Sequence, residues 1–126
     1  MTVSQFSRVA KKLTFFLTQL NTYHPAIQFT MEKPKDGAIN FLDMTVYCEE
    51  RSLKTKWFLK PTNTLLYTHY EAYSPNQYKI NAINALYLRS QKLTSDKKYK
   101  EETEEKVKNI FLHNGYSHRF IEKSFE

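Results

Sequence analysis

The sequence has 126 residues, with 19 Lys+Arg against 13 Asp+Glu, a formal net charge of +6 and a pI of about 9.3. Its length predicts a single domain, and its 40% hydrophobic and 15% aromatic residues suffice for a buried core, which excludes a chain that is disordered throughout. Two glycines and one cysteine exclude Gly-rich phosphate loops, an intrachain disulfide and a zinc finger. The lack of a signal segment predicts an intracellular protein, nuclear or cytoplasmic, with no membrane partner.

The N-terminal segment has the apolar spacing of an amphipathic helix. Ser4 is a suitable N-cap, and His24-Pro25 is a suitable stop. The apolar stripe consists of Phe6, Val9, Ala10, Leu13, Phe16, Leu17 and Leu20. After the proline, apolar residues alternate at Ile27, Phe29 and Met31, which predicts a strand.

Two more strands are expected, one from Ile39 to Cys48 and one from Leu53 to Lys60. The segment Pro34-Lys35-Asp36-Gly37 has the composition of the turn that precedes them, and Pro61 ends the last strand. The last strand alternates between a core face, with Leu53, Thr55, Trp57 and Leu59, and a basic face, with Lys54, Lys56, Phe58 and Lys60. Cys48 is expected to be a small buried hydrophobic residue rather than a nucleophile.

The rest of the chain is predicted to be helical after a connection at residues 62–75. The first helix has the stripe Ile80, Ile83, Leu86 and Tyr87 and ends near Leu93; the second begins at Asp96 and closes on Val107, Ile110, Phe111 and Leu112. Gly115 is expected in a left-handed helix stop, and Ser117 caps a short last helix.

The fold class is therefore predicted as α+β. An N-terminal helix and a small antiparallel sheet of about three strands are followed by a thumb-like bundle of three helices. The expected segments are 1–61, 62–75 and 76–126.

Few residues are suited to catalysis. Two-metal phosphoryl transfer needs carboxylates that converge on the ions, and the three aspartates, Asp36, Asp43 and Asp96, form no close pair in the sequence. His113 and His118 flank the predicted glycine turn without an accompanying acid or cysteine. We therefore expect no metal site and no cofactor in this chain, and no polymerase or nuclease activity from it alone.

Nucleic-acid binding has some support from composition. Lys54, Lys56 and Lys60, followed by Thr62 and Thr64, provide cations and hydroxyl groups suited to a phosphate backbone. The alternative is that a half-exposed hairpin carries lysines on its solvated face. Asp43 interrupts an apolar strand, either as a hydrogen-bonded carboxylate or as a group that holds a neighbouring basic residue in place.

The order of several short motifs is similar to the reverse transcriptase of Penelope-like retroelements. Three motifs are the most specific: Phe-Leu-Asp, Lys-Pro-Thr-X-Thr and Asn-Gly-Tyr. The matching residues are Leu20-Asn21, His24-Pro25, Ile27, Phe29-Thr30, Glu32, Phe41-Leu42-Asp43, Leu53, Thr55, Lys60-Pro61-Thr62, Thr64, Tyr67, Pro75, Lys79 and Asn114-Gly115-Tyr116. The family usually has a proline where this chain has Asn40, and a serine and a histidine where it has Ala72 and Ser74.

The resemblance implies a location within that enzyme, from the last helix and strand of the palm to the thumb. Residues 41–43 and 57–64 would belong to the primer-grip hairpin, and the helices from Asn76 onward would form the thumb, a region that is also described as helix-turn-helix-like. Lys79, Arg89 and Lys92 would then join the strand lysines on the template and primer backbones. The family enzyme would use a divalent metal such as Mg²⁺, but its catalytic aspartates are absent here, which implies a non-catalytic fragment or remnant that retains contact with an RNA/DNA hybrid or DNA duplex.

Two alternatives remain open. The first is a helix-turn-helix DNA-binding domain with residues 117–123 as the recognition helix, which offers only His118, Arg119 and Lys123 against Glu122 and Glu126 and has no Asn or Gln for adenine. The second is a domesticated protein-interaction module. Apolar surface on the N-terminal helix also predicts self-association.

Overall fold

The computed structural model describes the backbone of residues 3–126 and the side chains of these residues except 3, 4, 6 and 7. The predicted N-cap Ser4 and the first stripe residue, Phe6, therefore lie outside the described side chains. The chain divides into two compact units, residues 1–33 and residues 34–126. In the described part of the chain, none of the helices has the length and apolar character needed to span a membrane.

The first unit contains helix α1, Val3–Thr22, as predicted. The predicted strand Ile27–Met31 is wrong, because these residues adopt no strand. The Phe29 N–H donates to Asn21 Oδ1 at 2.6 Å, and Asn21 Nδ2 donates to the Phe29 carbonyl at 3.1 Å. A side-chain amide thus takes the backbone bonds that a neighbouring strand would otherwise make.

The second unit contains a three-stranded antiparallel sheet in the order β1-β2-β3. Its strands are β1, Ala38–Phe41; β2, Met44–Glu49; and β3, Ser52–Trp57. The predicted strand Ile39–Cys48 is therefore two strands, because the chain reverses at Leu42, which has a φ of 54°. Asp43 lies in this hairpin turn and not within a strand, and Cys48 is exposed rather than buried.

The predicted core face of β3 is only partly correct. Trp57 is buried, but Leu53, beside the β2–β3 turn, is 77% exposed. The outer edge of β3 is covered by the segment after the first C-terminal helix. Trp57 N–H donates to Thr94 Oγ1 at 3.1 Å, and Ser95 N–H donates to the Thr55 carbonyl at 2.9 Å. These bonds attach the sheet to the helices and protect its edge from other strands.

The helices follow the predicted order: α2, Asn76–Leu93; α3, Lys100–His113; and α4, His118–Phe125. A short 3-10 helix, Lys97–Tyr99, precedes α3, and the Asp96 side chain caps it by accepting from the Lys98 N–H. The common core of sheet and helices consists of Trp57, Ile83, Leu86, Val107, Ile110, Phe111, Tyr116 and Ile121. The α+β fold is confirmed.

Candidate nucleic-acid interface

The turn between α3 and α4 has a fully hydrogen-bonded helix stop. Gly115 has a φ of +87°, and its N–H donates to the Leu112 carbonyl at 3.1 Å. The Tyr116 N–H donates to the Phe111 carbonyl at 3.0 Å, which completes a Schellman motif. Ser117 Oγ then accepts from the Phe120 N–H and caps α4. These bonds set the direction in which α4 leaves α3.

Asn114 and Tyr116 connect this turn to the preceding connection. The buried Asn114 side chain donates to the Leu65 carbonyl at 2.9 Å and accepts from the Tyr67 N–H at 3.0 Å. The Tyr116 hydroxyl donates to the Thr68 carbonyl at 2.7 Å. The Asn-Gly-Tyr motif therefore determines the path of the connection as well as the helix stop.

Helix α4 is amphipathic and presents a mixed, mainly basic surface. Ile121 and Ser124 are buried against α2 and α3, while His118, Arg119 and Lys123 are exposed together with Glu122. Among the residues with described side chains, Arg119 and Lys123 form no ion pair. Their cationic groups are available to an anionic partner.

The strand lysines predicted for phosphate contact are largely engaged within the protein. Lys54 Nζ lies 2.8 Å from Glu49 and 3.6 Å from Asp96, and Lys56 Nζ lies 4.9 Å from the centre of the Tyr99 ring. Both lysines are half-buried, whereas Thr62 and Thr64 in the connection are exposed. Lys60 is also exposed, and it lies beyond the strand on which it was predicted, because β3 ends at Trp57.

Two acidic residues, Glu49 and Asp96, hold Lys54 in this position. Hydrogen bonds from Lys54 and Lys98 lower the pKa of Glu49, and a hydrogen bond from the Tyr47 hydroxyl lowers the pKa of Asp96. Burial and the bond to Asp96 raise the pKa of Tyr47 to about 12. Sequence reasoning missed this cluster, although the Tyr-X-Glu order on β2 and the helix-capping position of Asp96 were visible.

A groove of about 800 Å³ lies between the β1–β2 turn, the end of β3 and helix α2. Arg89 and Lys92 line it together with Asp43 and Asn63. The Arg89 guanidinium forms an ion pair with the Asp43 carboxylate, so Asp43 does hold a basic residue, as one reading of the sequence predicted. Apolar lining comes from Trp57, Leu59, Tyr67, Ala82, Ala85, Leu86, Leu88 and Leu93.

Lys79 is apart from this groove, in the first turns of α2. It is only 7% exposed, and its Nζ lies 4.9 Å from the centre of the Tyr70 ring. The predicted binding residues therefore occupy four places: the half-buried lysine cluster, the exposed connection, the groove and the start of α2.

Residues 66–126 match the sequence model of a protein family described as the animal helix-turn-helix domain. The match begins in the connection and includes α2, α3 and α4. No curated protein and no solved structure matches the chain. The C-terminal half of this protein is thus similar in sequence to an animal helix-turn-helix domain.

Proposed function

We propose that the chain binds a nucleic-acid duplex as a helix-turn-helix module, with α4 lying against the duplex. The observation that carries this proposal is the exposed face of α4, which presents Arg119 and Lys123 from a turn fixed by a complete Schellman motif. A helix placed in this way can enter the major groove or lie along the phosphate backbone. The family match of residues 66–126 and the net charge of +6 support the same function.

The composition of α4 favours backbone contact over base reading. Bidentate recognition of adenine uses Asn or Gln, and α4 has neither. Arg119 is the one α4 side chain suited to bidentate contact with guanine, and Glu122 beside it would repel phosphates. We therefore expect duplex binding that depends strongly on salt and weakly on sequence.

Fluorescence anisotropy with a labelled random DNA duplex across a salt series tests the proposal. The double variant Arg119→Ala/Lys123→Ala should reduce the slope of log K against log salt by about 1.8, because each lost phosphate contact removes about 0.9. The matched control is Lys11→Ala/Lys12→Ala, which removes two exposed charges from α1. If both variants reduce the salt slope equally, net charge and not α4 is responsible for duplex binding.

A finer proposal is that the chain corresponds to the end of the palm and the thumb of a Penelope-like reverse transcriptase. The observation that favours it is the ion pair between Asp43 of the Phe-Leu-Asp motif and Arg89 of α2. This pair places motif residues from the hairpin and a cation from the helix on one groove, which also contains Tyr67. In this reading the groove holds the backbone of a primer strand against Arg89 and Lys92.

A catalytic magnesium ion does not fit the acidic residues of this chain. Asp43 is paired with Arg89, Asp96 accepts from Tyr47, and Asp36 lies in the turn before β1. Over the described residues, no group of three or more His, Cys, Asp or Glu side chains is placed to hold a metal ion. The proposed role of this region is therefore to hold nucleic acid, and no catalytic step is assigned to it.

Comparing two duplexes separates the two readings. A thumb and primer grip should bind an RNA/DNA hybrid more tightly than a DNA duplex, and Arg89→Ala/Lys92→Ala should reduce that preference more than Arg119→Ala/Lys123→Ala does. A chain that binds both duplexes equally, through α4 alone, would refute the reverse-transcriptase reading and leave the helix-turn-helix proposal intact.

A further inference from the structure

The start of α2 contains a largely buried lysine, Lys79, that forms no ion pair with the described residues. Lys79 is 7% exposed, and in the described part of the protein its Nζ makes neither a hydrogen bond nor an ion pair. Its contact is the face of Tyr70 at 4.9 Å. An aromatic face is a weaker partner for an ammonium group than an anion is, so an anion beside Lys79 would be stabilised.

A second unpartnered group lines the same pocket. Ser74 Oγ is buried and has no hydrogen-bond partner among the residues that the structure describes. Ser74 and Lys79 line a pocket of about 450 Å³ together with Glu71, Ala72, Tyr73 and Pro75. Buried hydroxyl groups are almost always hydrogen-bonded, so an unpaired hydroxyl in a pocket that a lysine also lines indicates a ligand that accepts hydrogen bonds.

The backbone adds further donors. The N-cap of α2 is Pro75, which makes no side-chain capping bond, and the first turn has no acidic residue. The N–H groups of Asn76 and Gln77, the first two residues of α2, have no partner within the helix. The positive end of this 18-residue helix favours an anion at the same place, and long side chains in a helix lean toward its N-terminus, which directs Lys79 there.

We infer that Ser74, Lys79 and the first turn of α2 form a binding pocket for a phosphate group, which is a backbone phosphate of the bound nucleic acid. This inference rests on the proposed function for the source of the phosphate. The ligand chemistry follows from the donor set, because a phosphate oxyanion accepts several charge-assisted hydrogen bonds at once.

The pocket is structurally connected to the helix-turn-helix. Tyr70, on which the Lys79 ammonium lies, packs edge-on against Tyr116 and Phe120, with ring centres 5.4 Å apart in both pairs. Phosphate binding at α2 would therefore act on the aromatic cluster that supports the α3–α4 turn. Glu71 is the one acidic residue of the pocket, and its carboxylate should weaken binding.

A titration of the ¹⁵N-labelled full chain with inorganic phosphate, compared with chloride at equal ionic strength, tests the pocket. Saturable shifts of the Asn76 and Gln77 amides are expected. Lys79→Met should weaken phosphate binding about tenfold or more, and Glu71→Gln should strengthen it. Lys97→Met removes an exposed charge of the 3-10 helix and should change nothing. Shifts that do not saturate, or that are the same in Lys79→Met, would refute the pocket.

Duplex binding identifies the source of the phosphate. Lys79→Met should reduce the salt slope on DNA by about 0.9, and Lys97→Met should leave it unchanged. An unchanged slope in Lys79→Met, in a chain that still binds duplex, would refute the assignment to a backbone phosphate while the proposed function stands. If the unaltered chain binds no duplex but phosphate still shifts Asn76, the proposed function fails and the pocket is a site for free phosphate. If Lys79→Met does not fold, the gain expected for Glu71→Gln decides the question.

Discussion

Gly115 is the residue on which the α3–α4 turn depends most directly, and Gly115→Ala tests this. The φ of +87° is a conformation that alanine adopts at a cost of about 1–2 kcal/mol. A Cβ at this position would lie 2.7 Å from Nε2 and 2.8 Å from Cε1 of the His69 ring. The ring must therefore move, and His69 Nδ1 would lose the bond that it accepts from the Glu71 N–H, at a further cost of about 0.5–1.5 kcal/mol.

The expected loss in the free energy of unfolding is the sum of these two costs, about 1.5–3.5 kcal/mol. Urea denaturation followed by the fluorescence of Trp57, the single and buried tryptophan, reports on the unit that contains the turn. Gly37→Ala is a matched control, because Gly37 also has a positive φ, of +75°, but a Cβ there has no described atom within 4 Å.

The difference between the two variants measures the contact with His69. Because His69→Ala itself removes the ring and its hydrogen bond, Gly115→Ala in a His69→Ala background should cost only the backbone part, about 1–2 kcal/mol. Equal destabilisation by Gly115→Ala and Gly37→Ala would refute the argument that the approach of His69 requires glycine at this position. A stable Gly115→Ala variant with unchanged duplex binding would also show that the turn does not determine the orientation of α4.

Three further outcomes are expected. Asn114→Ala should reduce stability by about 2–4 kcal/mol in chemical denaturation, because it leaves the Leu65 carbonyl and the Tyr67 N–H of the connection unpaired. A loss below about 0.5 kcal/mol would contradict the role of Asn114 in holding the connection. Stability should fall on acidification, because the folded state lowers the pKa values of Glu49 and Asp96. The resulting stabilisation is present above the ordinary pKa values of 4.5 and 3.8 and is lost as the pH drops through the lowered ones. In thermal melts at pH 2–7, a Glu49→Gln/Asp96→Asn variant should lose part of this pH dependence. The exposed apolar residues of α1 should drive self-association, so the full chain should sediment above monomer mass at high concentration. The variant Leu13→Glu/Phe16→Glu should sediment as a monomer. An unaltered chain that is monomeric would disprove this prediction.

The helices could be predicted from the sequence because their signals are local. The apolar spacing of α2 and α3, the Asp96 and Ser117 caps and the left-handed Gly115 all act within one or two turns of the chain. Neighbouring residues alone decide these features. The structure confirms them with one correction: Asp96 caps the 3-10 helix before α3, and α3 itself begins at Lys100.

The strands could not be located in the same way, because a strand depends on a partner segment and on where the chain turns, and not only on its own alternation. Residues 27–31 alternate as a strand does, but the Asn21 side chain takes both backbone hydrogen bonds of Phe29. The segment 39–48 alternates without interruption, but the chain reverses at Leu42, a residue type that rarely adopts a positive φ. The count of three strands was correct, although residues 27–31 form no strand and residues 39–48 form two.

The candidate interface also has features that the sequence identified and features that only the fold decided. Sequence alone identified a basic chain with a capped, amphipathic last helix and an Asn-Gly-Tyr helix stop. Only the tertiary structure decided which cations are paired with an acid, because Lys54 is paired with Asp96 from beyond α2 and Arg89 is paired with Asp43, 46 residues earlier. Charge is a property of the sequence, but the availability of a charge depends on what the fold places beside it.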